Sequence, residues 1–336
     1  LLTLIAKGLG MARDILQARA FGTTAEVDLF TAANNSTIYL FTTAAYALCL
    51  AAVPIFAQKL AKDREQAFRA ADNLLSVSLL ASFAVTALTL LAGATGLLGR
   101  AVGASGHAFR WYVSVMALTL PLIVLTYLLM ALFQAMGHYS LQGSLSLLYN
   151  ISLCVLLLAA GPRMSVAAFA AAASAAWVLQ LAMTLPCLVR ERYRFHFRLD
   201  LRAGYLPLYL RTAVVTAFTT AIFLFCYLMD TNMASPMGEG VTSAFYYADK
   251  LFTPVITTLI YSIGAVMFPQ WSEKHASMAD GEYRAYVGGV VESTVLLLLP
   301  LSALFSVFGV PIIRVLFEGG SFTPESSAAF SLPPMA

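Results

Sequence analysis

Lys7, Arg13, Asp14, Gln17 and Arg19 stand in a stretch of chain, residues 1–21, that is otherwise apolar. An ionised side chain at the centre of a membrane helix costs about 2.5–3.5 kcal/mol on insertion scales, so such a helix does not face lipid all round. At roughly 100° per residue, Lys7, Arg13, Asp14 and Gln17 share an arc of about 120°, with Arg19 off that arc and nearer the far end. This pattern predicts a polar stripe that lines a wet cavity or seals against other helices. Asp14 is expected as a partner for Lys7 or Arg13 rather than as a ligand, and Arg19 has snorkelling to the interface as its alternative. Three further sets belong with this stripe. Asp28 opens a second segment that continues into the polar run Asn34, Asn35, Ser36 and Thr37. Asp249 and Lys250 follow Tyr246 and Tyr247, and Pro254 then marks a kink. Asp230, before Asn232 and the Ser235-Pro236 turn, reads as a loop carboxylate or as part of a site for a coupling cation.

The elements that must position these residues are membrane helices. Of 336 residues, 60% are hydrophobic and 11% charged, with a mean hydropathy of +0.79. Soluble domains carry roughly 25% charged residues. A helix needs about 20 mostly apolar residues to cross the hydrocarbon. Nine segments meet that need, near residues 1–21, 27–57, 73–98, 110–135, 141–160, 165–189, 206–229, 241–269 and 285–316. No stretch alternates like the strands of a barrel. The expected fold class is therefore an all-α polytopic membrane protein of about nine transmembrane helices. Cys49, Cys154, Cys187 and Cys226 lie in apolar segments at no metal-ligand spacing and read as small buried hydrophobes.

Basic residues concentrate in alternate loops: Lys59, Lys62, Arg64 and Arg69; then Arg190, Arg192, Arg194, Arg198, Arg202 and Arg211; then Lys274 and Arg284. The positive-inside rule places these loops and the N-terminus in the cytoplasm. A shift of 215 residues, without a gap, superposes segments 2–3 on 8–9, and Tyr46, Pro54, Lys59 and Arg69 fall on Tyr261, Pro269, Lys274 and Arg284. Six segments separate the copies, so both keep one orientation, as in the parallel repeats of many transporters. The division expected is an N-lobe of six helices over residues 1–203 and a partial C-lobe over 204–336. The first copy has six helices and the second stops after three, and the chain begins at Leu1 inside a helix; both features predict a longer natural protein.

Enzyme chemistry finds no support. There is no GxxxxGK[ST] loop, the histidines His107, His138, His196 and His275 are isolated, and no nucleophile elbow or carboxylate dyad is present. The arginine run at 190–202 is the longest basic loop of a polytopic protein and fits anionic lipid headgroups better than nucleic acid.

Eight stretches stand out together: Gly8-Leu9-Gly10-Met11-Ala12-Arg13-Asp14, Ala18-Arg19-Ala20-Phe21-Gly22, Asp28-Leu29-Phe30, Leu132-Phe133-Gln134-Ala135, Asn150-Ile151-Ser152, Asp230-Thr231-Asn232, Tyr246-Tyr247-Ala248-Asp249-Lys250 and Phe317-Glu318-Gly319-Gly320. In them the chain resembles the MurJ (MviN) family of lipid II flippases. The resemblance implies two lobes around a cationic cavity that opens alternately to either side of the bacterial cytoplasmic membrane. It implies a monomer that carries an undecaprenyl-pyrophosphate-linked glycolipid, driven by membrane potential or a sodium or proton gradient, with no other cofactor. By the same matching Arg13, Arg19 and Lys250 receive the diphosphate, Asp28 is a cavity carboxylate, and Asp230 belongs to a cation site whose other ligands lie beyond this chain. Leu40-Phe41 and Ala45-Tyr46 stand where the family carries an arginine and a Glu-Gly pair. That departure keeps a different lipid-linked oligosaccharide as the first alternative substrate. A cation-coupled multidrug exporter and a non-transporting membrane scaffold are the remaining alternatives.

Overall fold

The computed structural model describes residues 2–138, 140–237, 241–243, 245–249, 252–253 and 280–323. Lys250, Pro254 and most of the second copy of the internal match lie outside the described residues. The helices are α1 (Leu2–Phe21), α2 (Ala25–Leu60), α3 (Arg64–Ala94), the short α4 (Leu97–Ala101), α5 (His107–Ala135), α6 (Ser140–Ala160), α7 (Val166–Arg190), α8 (Leu206–Ala234) and α9 (Asp280–Phe317). Among the described residues, α2, α3, α5, α7 and residues Gly281–Phe317 of α9 are both long and apolar enough to cross a membrane.

Local sequence sets the ends. Thr24 caps α2 by accepting from the Val27 amide, Asp63 caps α3 through the Glu65 amide, and Ser165 caps α7 through the Ala168 amide. The cap at Asp63 starts α3 about nine residues before its apolar run, because Arg64–Arg69 are good helix formers that need no lipid. Residues 35–39 of α2 widen into a π-turn. Ser36 Oγ and Thr37 Oγ1 donate to the carbonyls of Ala32 and Ala33 there, at 2.8 and 2.6 Å, which satisfies buried hydroxyls within their own helix. In α5 the run Thr119-Leu120-Pro121 breaks the regular ladder. Pro121 cannot donate to the Ala117 carbonyl, and Thr86 Oγ1 of α3 reaches that oxygen instead, at 3.4 Å.

Small residues permit close helix contact. Ala45, Ala47, Ala51 and Ala52 are buried in α2, whose later half packs along α5, while α1 packs along α6. Phe30 meets Tyr112 edge-on at 6.0 Å and Phe169 at 5.7 Å, joining α2, α5 and α7 in one core. The start of α8 joins the same core through buried Tyr209, whose hydroxyl is 2.9 Å from that of Ser78. Cys49 and Cys154 are buried as expected, whereas Cys187 is half-buried and Cys226 faces outward from α8.

The basic loop after α7 is strapped to the third and fourth turns of α3. Tyr193 donates to Asp72 at 2.6 Å, the His196 amide donates to the same carboxylate, and the Arg198 and Asp200 amides donate to Ser76 Oγ and Asn73 Oδ1. These bonds bury Asp72, Asn73 and Ser76 without leaving them unpaired. At the same end Glu191 gathers His138 Nε2 and Arg64 Nη2, each at 2.7 Å, tying the α5–α6 turn to α3. The hydrogen bond from His138, reinforced by Arg64, holds the Glu191 carboxyl below its ordinary range. A carboxyl lowered in the folded state stabilises above its unfolded pKa, and that contribution disappears as pH falls through the folded value. Thermal midpoints read from neutral to acidic pH should therefore converge for the native protein and Glu191→Gln. At neutral pH the variant should be about 0.5–1 kcal/mol less stable, the scale of a partly exposed ion pair.

Candidate functional site

The polar arc of α1 opens onto a cavity of about 330 Å³. Lys7, Gly10, Arg13 and Gln17 of α1 form one wall, each about one helical turn from the next. The facing walls come from Asn34 and Thr42 of α2, either side of the π-turn, from Tyr149 and Asn150 of α6, and from Trp177 and Gln180 of α7; Tyr246 also reaches in. No Asp or Glu lines the cavity among the described residues, so Lys7 and Arg13 set its charge.

Arg13 sits midway along α1 with its side chain 18% exposed. Its Nε and Nη2 both donate to Asp14 Oδ1, at 3.2 and 2.6 Å, and Nη1 donates to Asn150 Oδ1 at 3.0 Å. The guanidinium also lies 5.7 Å from the centre of the Tyr149 ring. A guanidinium has five N–H groups. Three are engaged here, which leaves two for a ligand in the cavity. Asp14 is buried and serves as the counter-charge, the role expected of it. Asn150 is fixed in turn, its Nδ2 donating to the carbonyls of Ala6 (3.2 Å) and Ser146 (2.9 Å). This asparagine is a positioning residue that the sequence displays but does not explain. Its motif is visible, whereas its place opposite Arg13 comes only from the packing of α1 on α6.

The other site candidates fall elsewhere. Arg19 is exposed and does not line the cavity; its Nη2 donates to the Leu316 carbonyl at 3.1 Å. A cation beside the last carbonyls of α9 is favoured by the helix dipole. Around it α1 and the exit of α9 meet closely: the Ser321 amide donates to Arg19 O at 2.8 Å, and Ser321 Oγ donates to Ala20 O at 3.1 Å. Gly22 and Gly320 make the approach possible. Both have positive φ, +65° and +60°, and a Cβ on either would lie 2.3 Å from a backbone oxygen of the other strand. Ala18, Tyr247, Phe317 and Phe322 pack behind this seam.

Asp28 closes the same end. Its Oδ1 accepts from the Ser243 amide at 2.7 Å, 215 residues away in sequence. That separation is the offset of the internal match, so equivalent positions of the two copies touch each other. Asp230 is exposed on the last turns of α8, and among the described residues no group of three or more His, Cys, Asp or Glu is placed to hold a metal ion. Lys250 lies outside the described residues. Its neighbour Asp249 accepts from Thr253 Oγ1.

Comparison with known proteins gives a consistent set. The family model described as lipid II flippase MurJ matches residues 17–332. The lipid II flippase MurJ of Burkholderia cenocepacia is 27% identical over 333 residues, covering 95% of this chain and 64% of the relative. A probable lipid II flippase MurJ of Vibrio cholerae is 24% identical over 353 residues, covering 98% and 66%. The chain thus spans about two thirds of the length of these relatives. A solved structure described as lipid II flippase MurJ in an inward closed conformation superposes with a TM-score of 0.79 at 18% identity, covering 98% of this chain and 69% of that one. An inward-facing multidrug resistance MATE family transporter of the MOP superfamily superposes with a TM-score of 0.74 at 15% identity, covering 98% and 76%. The last two likenesses show the fold alone, that of an α-helical polytopic membrane protein.

Proposed function

Because the chain belongs to the lipid II flippase MurJ family, we propose that it moves a lipid-linked peptidoglycan precursor across the bacterial cytoplasmic membrane by alternating access. Residues 1–203 act as the N-lobe and 204–336 as part of the C-lobe, rocking about the cavity that Arg13 lines, with the N-terminus in the cytoplasm and the protein working as a monomer. The observation that carries this reading is a guanidinium held midway along α1 at a cavity that no Asp or Glu lines among the described residues, with only three of its five N–H groups engaged by Asp14 and Asn150. A diphosphate answers it: several negative charges, and oxygens spaced for the two parallel bonds a guanidinium makes. Lys7 adds a second positive charge, and we assign Lys250, outside the described residues, as a third. A flippase changes no covalent bond of its cargo, so the residues need only bind, release and exclude lipid. Movement of so charged a headgroup calls for an energy source, and a sodium or proton gradient acting through Asp230 supplies it.

The multidrug reading has a fold likeness in its favour but the wrong electrostatics. A cavity for cationic drugs requires carboxylates, whereas the charged residues of this wall are Lys7 and Arg13. A scaffold needs no cavity at all. Proteoliposomes carrying fluorescent lipid II separate the three: protein-dependent arrival of the label at the opposite leaflet supports the flippase. Transport of cationic dyes with no lipid II movement would favour the exporter, and inactivity towards both would favour the scaffold.

A further inference from the structure

A second chamber, of about 290 Å³, opens beside the Arg13 cavity. Ala6, Lys7, Ser146, Trp177 and Gln180 line both, so the two are continuous along α1 and α7. Its chemistry differs from that of its neighbour. Three aromatic rings, from Tyr46, Tyr127 and Trp177, provide flat apolar faces, and the Tyr46 and Tyr127 rings stand edge to face at 6.2 Å, forming a corner. Among them sit the buried Gln180 carboxamide, the Ser146 hydroxyl and the Thr126 hydroxyl. Thr126 donates to Leu122 O at 2.7 Å and keeps its lone pairs for an incoming donor. Trp177 is only 5% exposed, yet its indole N–H donates to no acceptor among the described residues. Buried donors are rarely left unmade, and an exception marks a place where something else supplies the acceptor.

We propose that this chamber holds a sugar ring of the lipid-linked substrate, the one joined directly to the diphosphate. A pyranose is amphipathic in the same way as the chamber: apolar C–H faces stack on aromatic rings, and hydroxyl or acetamido groups take hydrogen bonds from amide, hydroxyl and indole. The placement follows from covalent order. Lys7 is six residues before Arg13, about 9 Å along the helix, so a ring attached to a phosphate on Arg13 reaches the chamber without a spacer. The chamber lies towards the end of α1 that carries the basic loops, the side on which the proposed orientation loads substrate. A cation would meet Lys7 here, and a polyprenyl chain would leave the carboxamide and the indole N–H unmatched. The chamber is near the small limit of ligand sites, roughly 300 Å³, which suits one ring rather than a whole headgroup.

This inference rests on the flippase reading for its choice of ligand, and two probes separate the claims. Equilibrium binding to the purified protein in detergent is measured with lipid II and with undecaprenyl diphosphate, which has the same phosphates and no sugar. Thr126→Val keeps bulk but loses the hydroxyl, and Tyr127→Leu loses a stacking face; both residues line this chamber and neither lines the Arg13 cavity. Each should weaken lipid II about five- to tenfold, the loss of one hydrogen bond or one stacking contact with the ligand, and leave undecaprenyl diphosphate unchanged. Unchanged lipid II affinity in both variants, or equal weakening towards both probes, would overturn the sugar chamber. Arg13→Gln judges the diphosphate reading separately: it should weaken both probes alike, and a null result there would count against the diphosphate while the Tyr127 comparison still decides the sugar.

Discussion

Arg13→Gln is expected to slow lipid II translocation at least about a hundredfold while the protein stays folded. The two N–H groups that face the cavity each make a charge-assisted bond to phosphate, worth about 1.5–3 kcal/mol, and a tenfold change corresponds to about 1.4 kcal/mol. Glutamine is the informative replacement because its amide still donates to Asp14 or Asn150, so the buried carboxylate keeps a hydrogen bond although it loses its counter-charge; Arg13→Ala would remove both, a loss of about 3–5 kcal/mol that would unfold rather than inform. Arg13→Lys keeps the charge without the fork and should fall between, about tenfold slower. The competing view is that Arg13 exists only to neutralise Asp14 across the α1–α6 contact. Arg13→Gln combined with Asp14→Asn distinguishes them, since the double variant has no charge left to balance. It should remain as slow as Arg13→Gln alone, and a return to the native rate would reduce Arg13 to a structural pin.

The second large effect concerns the seam opposite the basic loops. Gly320→Ala places a methyl where the Arg19 carbonyl oxygen already is, and Gly22→Ala does the same against Ser321 O. Both positions also hold left-handed φ, which costs a residue with a side chain about 1–2 kcal/mol. No side-chain rotation relieves a clash with backbone, so α1 and the exit of α9 must separate, breaking the Ser321–Arg19 and Ser321–Ala20 bonds together. Asp28→Ala attacks the same end from another point by removing the carboxylate that accepts from the Ser243 amide. The expected result is a shift towards the state open at this end. With Ser321→Cys as a reporter, a membrane-impermeant maleimide should react several-fold faster in either glycine variant, and faster still when Asp28→Ala is added. Equal labelling in all of them would mean that other contacts hold this end closed.

The cavity wall was legible from α1 alone because the physics of a single helix suffices: charges at membrane depth must share a face, and Lys7, Arg13 and Gln17 do. Asp14 as a counter-charge was legible for the same reason. What the sequence did not carry is distance across the fold. Arg19 carries the same charge as Arg13 six residues on, and only the positive-φ turn at Gly319–Gly320, folded back against α1, makes it a partner for the end of α9 instead of a cavity residue. Asn150 and Trp177 lie in apolar runs where an amide or an indole is unremarkable until α6 and α7 bring them opposite α1. The π-turn at 35–39 was hidden within a polar run whose hydroxyls bond to their own helix, and no periodicity of 3.6 registers an added residue. The early start of α3 was hidden by its polarity. Its first two turns carry exposed Arg64, Glu65, Gln66 and Arg69, and the Tyr193–Asp200 strap bonds to the helix only from Asp72 onward, so hydropathy reports the wrong boundary.

The central claim is a contact, and a structure of the protein with a bound undecaprenyl-diphosphate-linked saccharide reads it directly. A phosphate oxygen should lie about 2.7–2.9 Å from an Arg13 guanidinium nitrogen, the length of a charge-assisted bond, with the adjoining sugar between Trp177 and Tyr127. A lipid diphosphate bound elsewhere, with the Arg13 side chain still turned only to Asp14 and Asn150, would contradict it.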